Sequence, residues 1–362
     1  MTTRPGDGSP TSERGEAPWV YGSVHTDAGD VPRVRTALSA RDHFGSVKMR
    51  CGIGRARYRV EPGLYAVGKA SPQSPVAVSA NYKMSFDRLR AALNGRDAWI
   101  LVLDTRGINV WCAAGKGTFG TDEVVRLVRS TGLDRIVSHR TLIVPQLGAP
   151  GVSGHVVRQS CGFRVVYGPV RADDLGAFLD AGMRARPEMR RVRFDLGDRA
   201  VLIPVEIVSG GKYALLAAVG LLLLGGLGPG GYSLASVRTS GVTGASLVLG
   251  AFVCSAALGP VLLPWLPGRA FSVKGAVLGL VLIGLVVASG VTGSWLHVAA
   301  LALIVPAIAS FVVMNFTGAS TYTSFSGVMR EMRFAVPAQI AGGVIGFGLW
   351  MTGLFITGGP AT

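Results

Sequence analysis

Cys112 lies within Asn109-Val110-Trp111-Cys112-Ala113-Ala114-Gly115-Lys116, a few residues beyond the apolar run Ala98–Leu103. A thiol just past a buried strand can be a simple packing residue. In this loop it also reads as a sulfur donor aimed at a metal-centred cofactor, because thiolate is the ligand that soft and borderline metals select. The other cysteines, Cys51, Cys161 and Cys254, are far apart in sequence and no C-x-x-C occurs. Neither a disulfide framework nor an iron–sulfur cluster of the usual spacing is therefore implied. His139 and His155 are open between groups that support a ligand and ordinary surface or core histidines.

Gly115-Lys116-Gly117-Thr118-Phe119-Gly120 satisfies G-x-G-x-x-G, the dinucleotide fingerprint. The match is weak. Gly115 stands eleven positions after Asp104, so the glycines do not follow a strand directly, and no acidic residue closes a second strand about twenty positions on. Walker A, H-E-x-x-H and G-x-S-x-G strings are absent from the sequence.

Positioning such a loop calls for a layered scaffold. From about Arg41 to Ile207, strand-like runs alternate with helical stretches, the signature of an α/β fold. Candidate strands are Val76–Ser79, Ala98–Leu103, Arg135–Ser138, Leu142–Pro145 and Phe163–Tyr167. Between them, Ser85–Leu93, a segment capped by Thr121 and stopping at Gly132, Val152–Cys161 and Asp173–Met183 predict helices. Asp122 and Glu123 in the first turn of the second of these suit the helix dipole. In open α/β sheets ligands sit beyond the carboxyl ends of strands, and Cys112 follows one.

The C-terminal part is of another kind. From Tyr213 onward the chain has five Lys or Arg and one Glu among Gly, Leu, Val and Ala, a composition of membrane spans. Five can be drawn: Tyr213–Leu227, Gly244–Leu263, Gly275–Val291, Trp295–Phe316 and Val336–Ile356. Arg269 and Lys274 fall in the second connection, Arg330 and Arg333 in the fourth, only Arg238 in the first and no basic residue in the third. The positive-inside rule then puts the N-terminal domain in the cytoplasm and the C-terminus outside, at the cytoplasmic membrane. Of the net charge of +15, residues 1–212 carry +11. With Arg184, Arg186, Arg190, Arg191 and Arg193 ahead of the first span, a basic face beside an anionic leaflet accounts for this better than nucleic acid does. The polar stretch Met1–Glu16 is expected to belong to a mostly disordered or extended leader over 1–40, followed by an α/β domain over 41–207 and five transmembrane helices over 208–362.

Leu103–Thr121, LDTRGINVWCAAGKGTFGT, resembles the cap-helix segment of corrinoid-binding proteins. With Cys in the cap, it resembles the HgcA family, the corrinoid proteins of microbial mercury methylation, which are related to the corrinoid iron–sulfur proteins. VEPGLYAVG at Val60–Gly68, SPVAVSANYKMSFDRLR at Ser74–Arg90, HRTLIVPQLGAPGV at His139–Val152, GPVRADDLGAFLDAG at Gly168–Gly182 and NFTGASTYTS at Asn315–Ser324 are similar to the same family. The resemblance implies a Rossmann-like corrinoid-binding domain followed by an all-α transmembrane domain of five helices. It implies a cobalamin-type cofactor with cobalt, and Cys112 as catalytic residue and lower axial metal ligand. The D-x-H-x-x-G string that supplies His in other cobalamin enzymes is absent.

The implied cofactor-binding set is Ser79, where the family usually has Thr, with Asn109, Val110, Trp111, Cys112, Ala113, Ala114, Gly115, Lys116, Gly117, Thr118, Gln146, Leu147 and Gly148. Lys116 is expected to meet the amide rim of the corrin. Hg(II) is an electrophile and needs a methyl group that leaves with its electron pair, a departure that an electron-rich axial thiolate favours. The cycle then consumes two low-potential electrons. The implied partners are a ferredoxin-like protein with two 4Fe–4S clusters and a methyltetrahydrofolate-dependent methyl donor system. A corrinoid methyl carrier in one-carbon metabolism, or toward another metal or metalloid, is the alternative. Cys51 and Cys161 read as core thiols ahead of mercury carriers, Cys254 as packing within a span, and the polar run Asn315–Ser326 as the place for any conduit.

Overall fold

The computed structural model describes residues 17–54, 57–290, 294–316 and 325–357, and the chain divides into two units at about residue 192. The first part of the expected leader, Met1–Glu16, and most of the run Asn315–Ser326 lie outside the described residues.

The N-terminal unit is built on one seven-stranded sheet. Its strands are β1 (Val20–Thr26), β2 (Gly29–Val34), β3 (Gly63–Val67), β4 (Val76–Ala80), β5 (Ala98–Leu103), β6 (Thr141–Val144) and β7 (Arg164–Tyr167). In space they run β1-β2-β3-β5-β4-β6-β7. The block β5-β4-β6-β7 is parallel, β3 pairs antiparallel with β5, and the β1–β2 hairpin closes that edge with β2 parallel to β3.

Both faces of the central strands are covered, which explains why β4 and β5 read as unbroken apolar runs. Alternation along each strand deals side chains to two cores. Trp99, Leu101 and Leu103 of β5 join Val76, Val78 and Ala80 of β4 on one face. Ala98, Ile100 and Val102 join Tyr65, Val67 and Ala77 on the other. Helices supply the outer layers: α1 (Ala40–Arg50), α2 (Lys83–Ala92), α3 (Val110–Gly115), α4 (Thr121–Ser130), α5 (Leu133–Ile136), α6 (Gly154–Cys161) and α7 (Leu175–Asp180). Ala113, Ala114, Phe119, Val124, Leu127 and Val157 cover the first face, and Phe86, Leu89, Leu93, Leu175 and Phe178 the second.

Four of the five candidate strands form within a residue or so of their expected bounds. Arg135–Ser138 does not. There the chain makes the single turn α5, opened by Gly132 in the left-handed region at φ 60°. Leu133 and Ile136, three apart, are both buried on one face of that turn, and this spacing outweighs the short apolar run. Thr121 is the first residue of α4 and not its cap; Gly120 holds the cap position. The Thr121 hydroxyl accepts a bond from Ser153 N at 2.9 Å, joining α4 to the start of α6. The sequence reading also passed over β1, β2 and β3, so the sheet begins at Val20, within the stretch expected as leader.

A buried ion cluster fastens the N-terminal segment to α2. Lys83 Nζ lies 2.8 Å from Asp42 and 2.5 Å from Asp87. Arg90 lies 2.9 Å from Asp42 and 2.8 Å from Asp87, and also donates to the carbonyls of Arg35 and Ala37. The Lys83 ammonium sits 4.2 Å over the Trp19 ring. Burial opposes charge on the Asp42 carboxyl, yet bonds from Lys83 and Ser39 prevail and hold it well below the usual carboxylate range. Burial, together with Asp87 and Asp42, pushes the nearby Tyr58 phenol up to about 12.

The C-terminal unit contains five helical stretches long and apolar enough to cross a membrane: Leu196–Leu224, Leu234–Leu262, Phe271–Ala288, Trp295–Asn315 and Gly327–Ile356. The number matches the sequence reading, and the fourth helix starts at Trp295 as expected, but the other four start earlier. Ile203–Leu224 is one continuous helix, and of the basic residues expected in connections Lys274 lies in the first turn of Phe271–Ala288 and Arg330 and Arg333 lie in the second and third turns of Phe325–Thr357. Lys274 Nζ donates to the carbonyls of Leu263 and Leu266, closing the end of the preceding helix. Close packing is made possible by Gly275 and Gly279, where a Cβ would collide with the backbone of Ala309 and Pro306.

Since the Asp42 carboxyl is lowered in the folded state, its contribution is complete above its ordinary value of 3.8 and is lost as pH falls through the lowered one. Asp87→Asn leaves Lys83 and Arg90 short of a buried counter-charge. It is expected to destabilise the N-terminal unit by about 3–5 kcal/mol, read as a lower denaturation midpoint for the detergent-solubilised chain.

Candidate functional site

The cap begins with the carboxamide of Asn81, one residue beyond β4 and 1% exposed. Its Oδ1 accepts from Thr105 N at 3.1 Å, Thr105 Oγ1 at 2.9 Å and Gly107 N at 2.9 Å, while Nδ2 donates to Asp104 at 3.1 Å. The single Thr105 hydroxyl proton is shared between Asn81 Oδ1 and Ile108 O, the latter 2.6 Å away. One side chain thus satisfies the buried polar groups of the loop leaving β5. Arg106 and Gly107 take successive left-handed conformations, φ 57° and 73°, which reverses the chain toward α3. Glu123 of α4 accepts from Asp104 N at 2.8 Å and ties the loop from the other side.

Asn109 caps α3, its Oδ1 accepting from Cys112 N at 2.9 Å. The helix divides sharply by face. Ala113 and Ala114 are buried in the sheet core, whereas Trp111, 46% exposed, and Cys112 point outward. Gly115 ends the helix and exposed Lys116 follows as its C-cap. Gly117 turns the chain at φ 78° and Thr118 N donates back to Ala113 O at 3.0 Å. The G-x-G-x-x-G string therefore lies between two helices and not in a strand-to-helix turn.

The cap is pressed onto the turn Gln146–Gly148 that follows β6. A Cβ at Gly148 would run into the Phe119 ring, and one at Gly151 into Phe119 O and Ala114 Cα. These glycines set how close α3 can come to the sheet.

Beside α3, above the carboxyl ends of β4, β6 and β7, lies a cavity of about 430 Å³. Its wall includes Ala77, Val78 and Ser79 from β4, Met84, Ser85, Arg88 and Leu89 from α2, and Asn109, Val110 and Trp111 from the cap. Ile143, Pro145, Leu147, Gly168–Ala172, Asp173 and Leu175 complete it. Of the residues singled out by sequence, Ser79, Asn109, Val110, Trp111 and Leu147 line this space. Cys112 stands next to it on the exposed face of the same helix. Ala113–Thr118 form the body and exit of the helix. Gly148 lies beneath Phe119, and Gln146 Oε1 accepts from Arg190 Nη1 outside the wall. The Ser79 hydroxyl donates to Ala80 O at 3.2 Å.

Sequence reasoning missed Asn81 and Thr105, which build the loop, and Met84, Arg88, Arg171 and Asp173, which shape the cavity. An Asn directly after an apolar strand, followed by T-R-G after the next one, was the available signal. His139 lies away from the cavity, at the start of β6, where its Nε2 is 2.9 Å from Ser74 O. His155 is exposed and paired with Ser153 at 2.9 Å. Cys161 donates within its own helix to Val157 O.

Among the described residues no three His, Cys, Asp or Glu converge as metal donors. A protein-only metal cage does not suit this donor set. A macrocycle that brings its own equatorial donors and asks the protein for one axial atom does suit it.

Replacing Asn81 with Ala strands two backbone donors, Thr105 N and Gly107 N, in a buried loop, at about 1–3 kcal/mol for each unsatisfied group. Backbone amides from Thr105 to Cys112 should then exchange with deuterium at least tenfold faster, while those of β5 keep their protection.

Residues 53–179 match the family model described as CO dehydrogenase/acetyl-CoA synthase delta subunit. The span contains every residue of the cavity wall and ends before the long apolar helices. The chain is 30% identical over 128 residues to an acetyl-CoA decarbonylase/synthase complex subunit gamma of Archaeoglobus fulgidus, covering 35% of this chain and 27% of that protein. The corresponding subunit of Methanopyrus kandleri is 32% identical over 128 residues, with the same coverage. The corrinoid/iron–sulfur protein large subunit of Moorella thermoacetica is 27% identical over 127 residues, 34% of this chain and 28% of that one. The chain thus spans about a quarter of the length of these curated relatives, and the similarity lies with proteins of corrinoid and acetyl-CoA chemistry.

Proposed function

We propose that this chain is a membrane-anchored, corrinoid-dependent methyltransferase that passes a methyl group to Hg(II), with the Cys112 thiolate as lower axial ligand. The observation that carries the proposal is the outward-facing Cys112 on a short, Asn-capped helix beside an apolar cavity at the carboxyl ends of the strands. The similarity to a corrinoid/iron–sulfur protein large subunit supports the choice of cofactor.

A bound cobalt corrinoid would supply a metal that can carry a methyl group. The chain's own residues do the rest. Asn109 fixes the backbone that presents Cys112, Ala113 and Ala114 anchor that helix in the core, and Trp111 walls the cavity on the same side. A thiolate is a strong, polarisable donor. As a donor to the bound metal, the Cys112 thiolate would favour methyl transfer to an electrophilic acceptor.

Proposed partners are a ferredoxin-like protein with two 4Fe–4S clusters, which would supply two electrons per turnover, and a methyltetrahydrofolate-dependent donor system. By the distribution of Arg269, Lys274, Arg330 and Arg333, we place the N-terminal unit in the cytoplasm and the C-terminus outside. The second reading, a corrinoid methyl carrier of one-carbon metabolism, is favoured by the acetyl-CoA-linked relatives.

Full-length protein loaded with cobalamin is expected to show cobalt–sulfur charge-transfer absorption and, loaded with methylcobalamin, to methylate Hg(II) in preference to thiols. Cys112→Ala should remove both the absorption and the mercury activity while cobalamin stays bound. An unchanged spectrum in the variant overturns the ligand assignment; transfer to thiols alone establishes the second reading.

A further inference from the structure

We infer that the groove between the last three apolar helices holds one anionic phospholipid, its phosphate bound by Arg269 and Arg330 and its acyl chains lying along the helix walls below. This rests on the membrane reading above and is independent of the corrinoid.

Three helices make the groove. Ser272 N, in the first turn of Phe271–Ala288, donates to Glu331 of Phe325–Thr357 at 2.5 Å, so the starts of these two helices stand together. The C-terminal half of Trp295–Asn315 packs against both: a Cβ on Gly275 would strike the backbone of Ala309, and one on Gly342 would touch Leu303 O and the Ala307 side chain. An open cavity of about 830 Å³ lies among them.

The wall of this cavity changes character with depth. Arg269, Arg330 and Glu331 stand at one end, and Val273, Ala276, Leu303, Ala307, Phe334 and Ala338 line the rest. Ser310 and Gln339, the polar side chains of the deeper wall, bond to each other at 2.8 Å. From Arg330 to Gly342 the last helix advances about 18 Å at 1.5 Å per residue, a little more than half of the ~30 Å hydrocarbon core of a bilayer. Charged at one end and apolar through the depth of one leaflet, the groove is proportioned for a single lipid. A free phosphate would leave its apolar length unused.

The charged end is complementary to a phosphodiester. Arg269 and Arg330 are exposed and form no ion pair among the described residues. The Glu331 carboxylate is engaged by Ser272 N, and with it counted the end keeps a net positive charge. Two planar guanidinium forks from different helix starts are well matched to phosphate oxygens. Lys274 is spent on the carbonyls of Leu263 and Leu266, and Arg333 lies outside the wall. The proposed orientation puts this end at the cytoplasmic leaflet, where basic pockets between spans draw anionic headgroups.

The test is native mass spectrometry of the full-length protein released from detergent micelles, with dioleoyl phosphatidylglycerol and dioleoyl phosphatidylcholine in equimolar competition. Wild type is expected to retain one phosphatidylglycerol, with a preference of about tenfold or more, as two basic groups at a leaflet surface predict. Arg269→Gln/Arg330→Gln should abolish the preference and leave phosphatidylcholine binding unchanged. Arg333→Gln, on the same helix but outside the groove, should keep it. Ala338→Trp, which fills the apolar wall, should weaken binding of both lipids, and glycerol 3-phosphate should not displace phosphatidylglycerol from wild type.

Equal binding of the two lipids by wild type, a preference that survives in the double variant, or an Ala338→Trp protein that binds both as wild type does overturns this inference. So does a loss in Arg333→Gln equal to that in the double variant, since charge anywhere on that surface would then suffice. Displacement by glycerol 3-phosphate overturns it in favour of a site for free anions. Failure of the wild-type chain to float with liposomes after an alkaline wash overturns the membrane reading itself.

Discussion

The position of the cap depends on one buried carboxamide. Asn81 follows β4, yet nearly all its bonds go to the loop that leaves the adjacent strand β5. Parallel neighbours end side by side, so a polar side chain just past one strand can organise the backbone leaving the next. The loop is too short to form a core of its own and too buried to be satisfied by solvent. Its shape is therefore set by whatever acceptor the neighbouring strand provides. Downstream, Asn109 repeats the device on a smaller scale, and between them the two amides determine where Trp111 and Cys112 stand.

Legibility in the sequence followed the range of the interactions. The central strands announced themselves because burial on both faces demands continuous apolar runs, and Ala98–Leu103 emerged at its expected bounds. The five long helices did the same in number, though Lys274, Arg330 and Arg333 hid where two of the spans meet their connections. A basic residue that closes a neighbouring helix end, as Lys274 does, looks like loop to a reader of hydropathy. The hairpin β1–β2 escaped notice because it is an edge with much of its surface in solvent, and its pattern gives no apolar face.

The candidate site was legible to the extent that it is local. Asn109–Thr118 form one continuous stretch, and the structure keeps them together as a helix and its exit. The cavity wall was harder to read, since α2, the β6 turn and the segment 168–175 meet there only through the strand order β5-β4-β6-β7. No spacing in one dimension encodes that Arg88 and Arg171 line one cavity. Gln146 was placed at the right turn but faces Arg190 and not the cavity, a difference of side-chain direction that periodicity cannot report at a three-residue turn. The ion cluster around Lys83 and Arg90 was equally invisible, because Asp42 and Arg90 are almost fifty residues apart.

Trp111 carries a consequence for anyone who handles the protein. Its indole borders the cavity while keeping nearly half its surface in water, whereas Trp99 is sealed in the sheet core at 1% exposure. Emission from the first responds to what lies beside it; emission from the second does not. The fold thus holds a native fluorophore at the mouth of its cavity and a shielded one within, a built-in optical gauge of occupancy that needs no label.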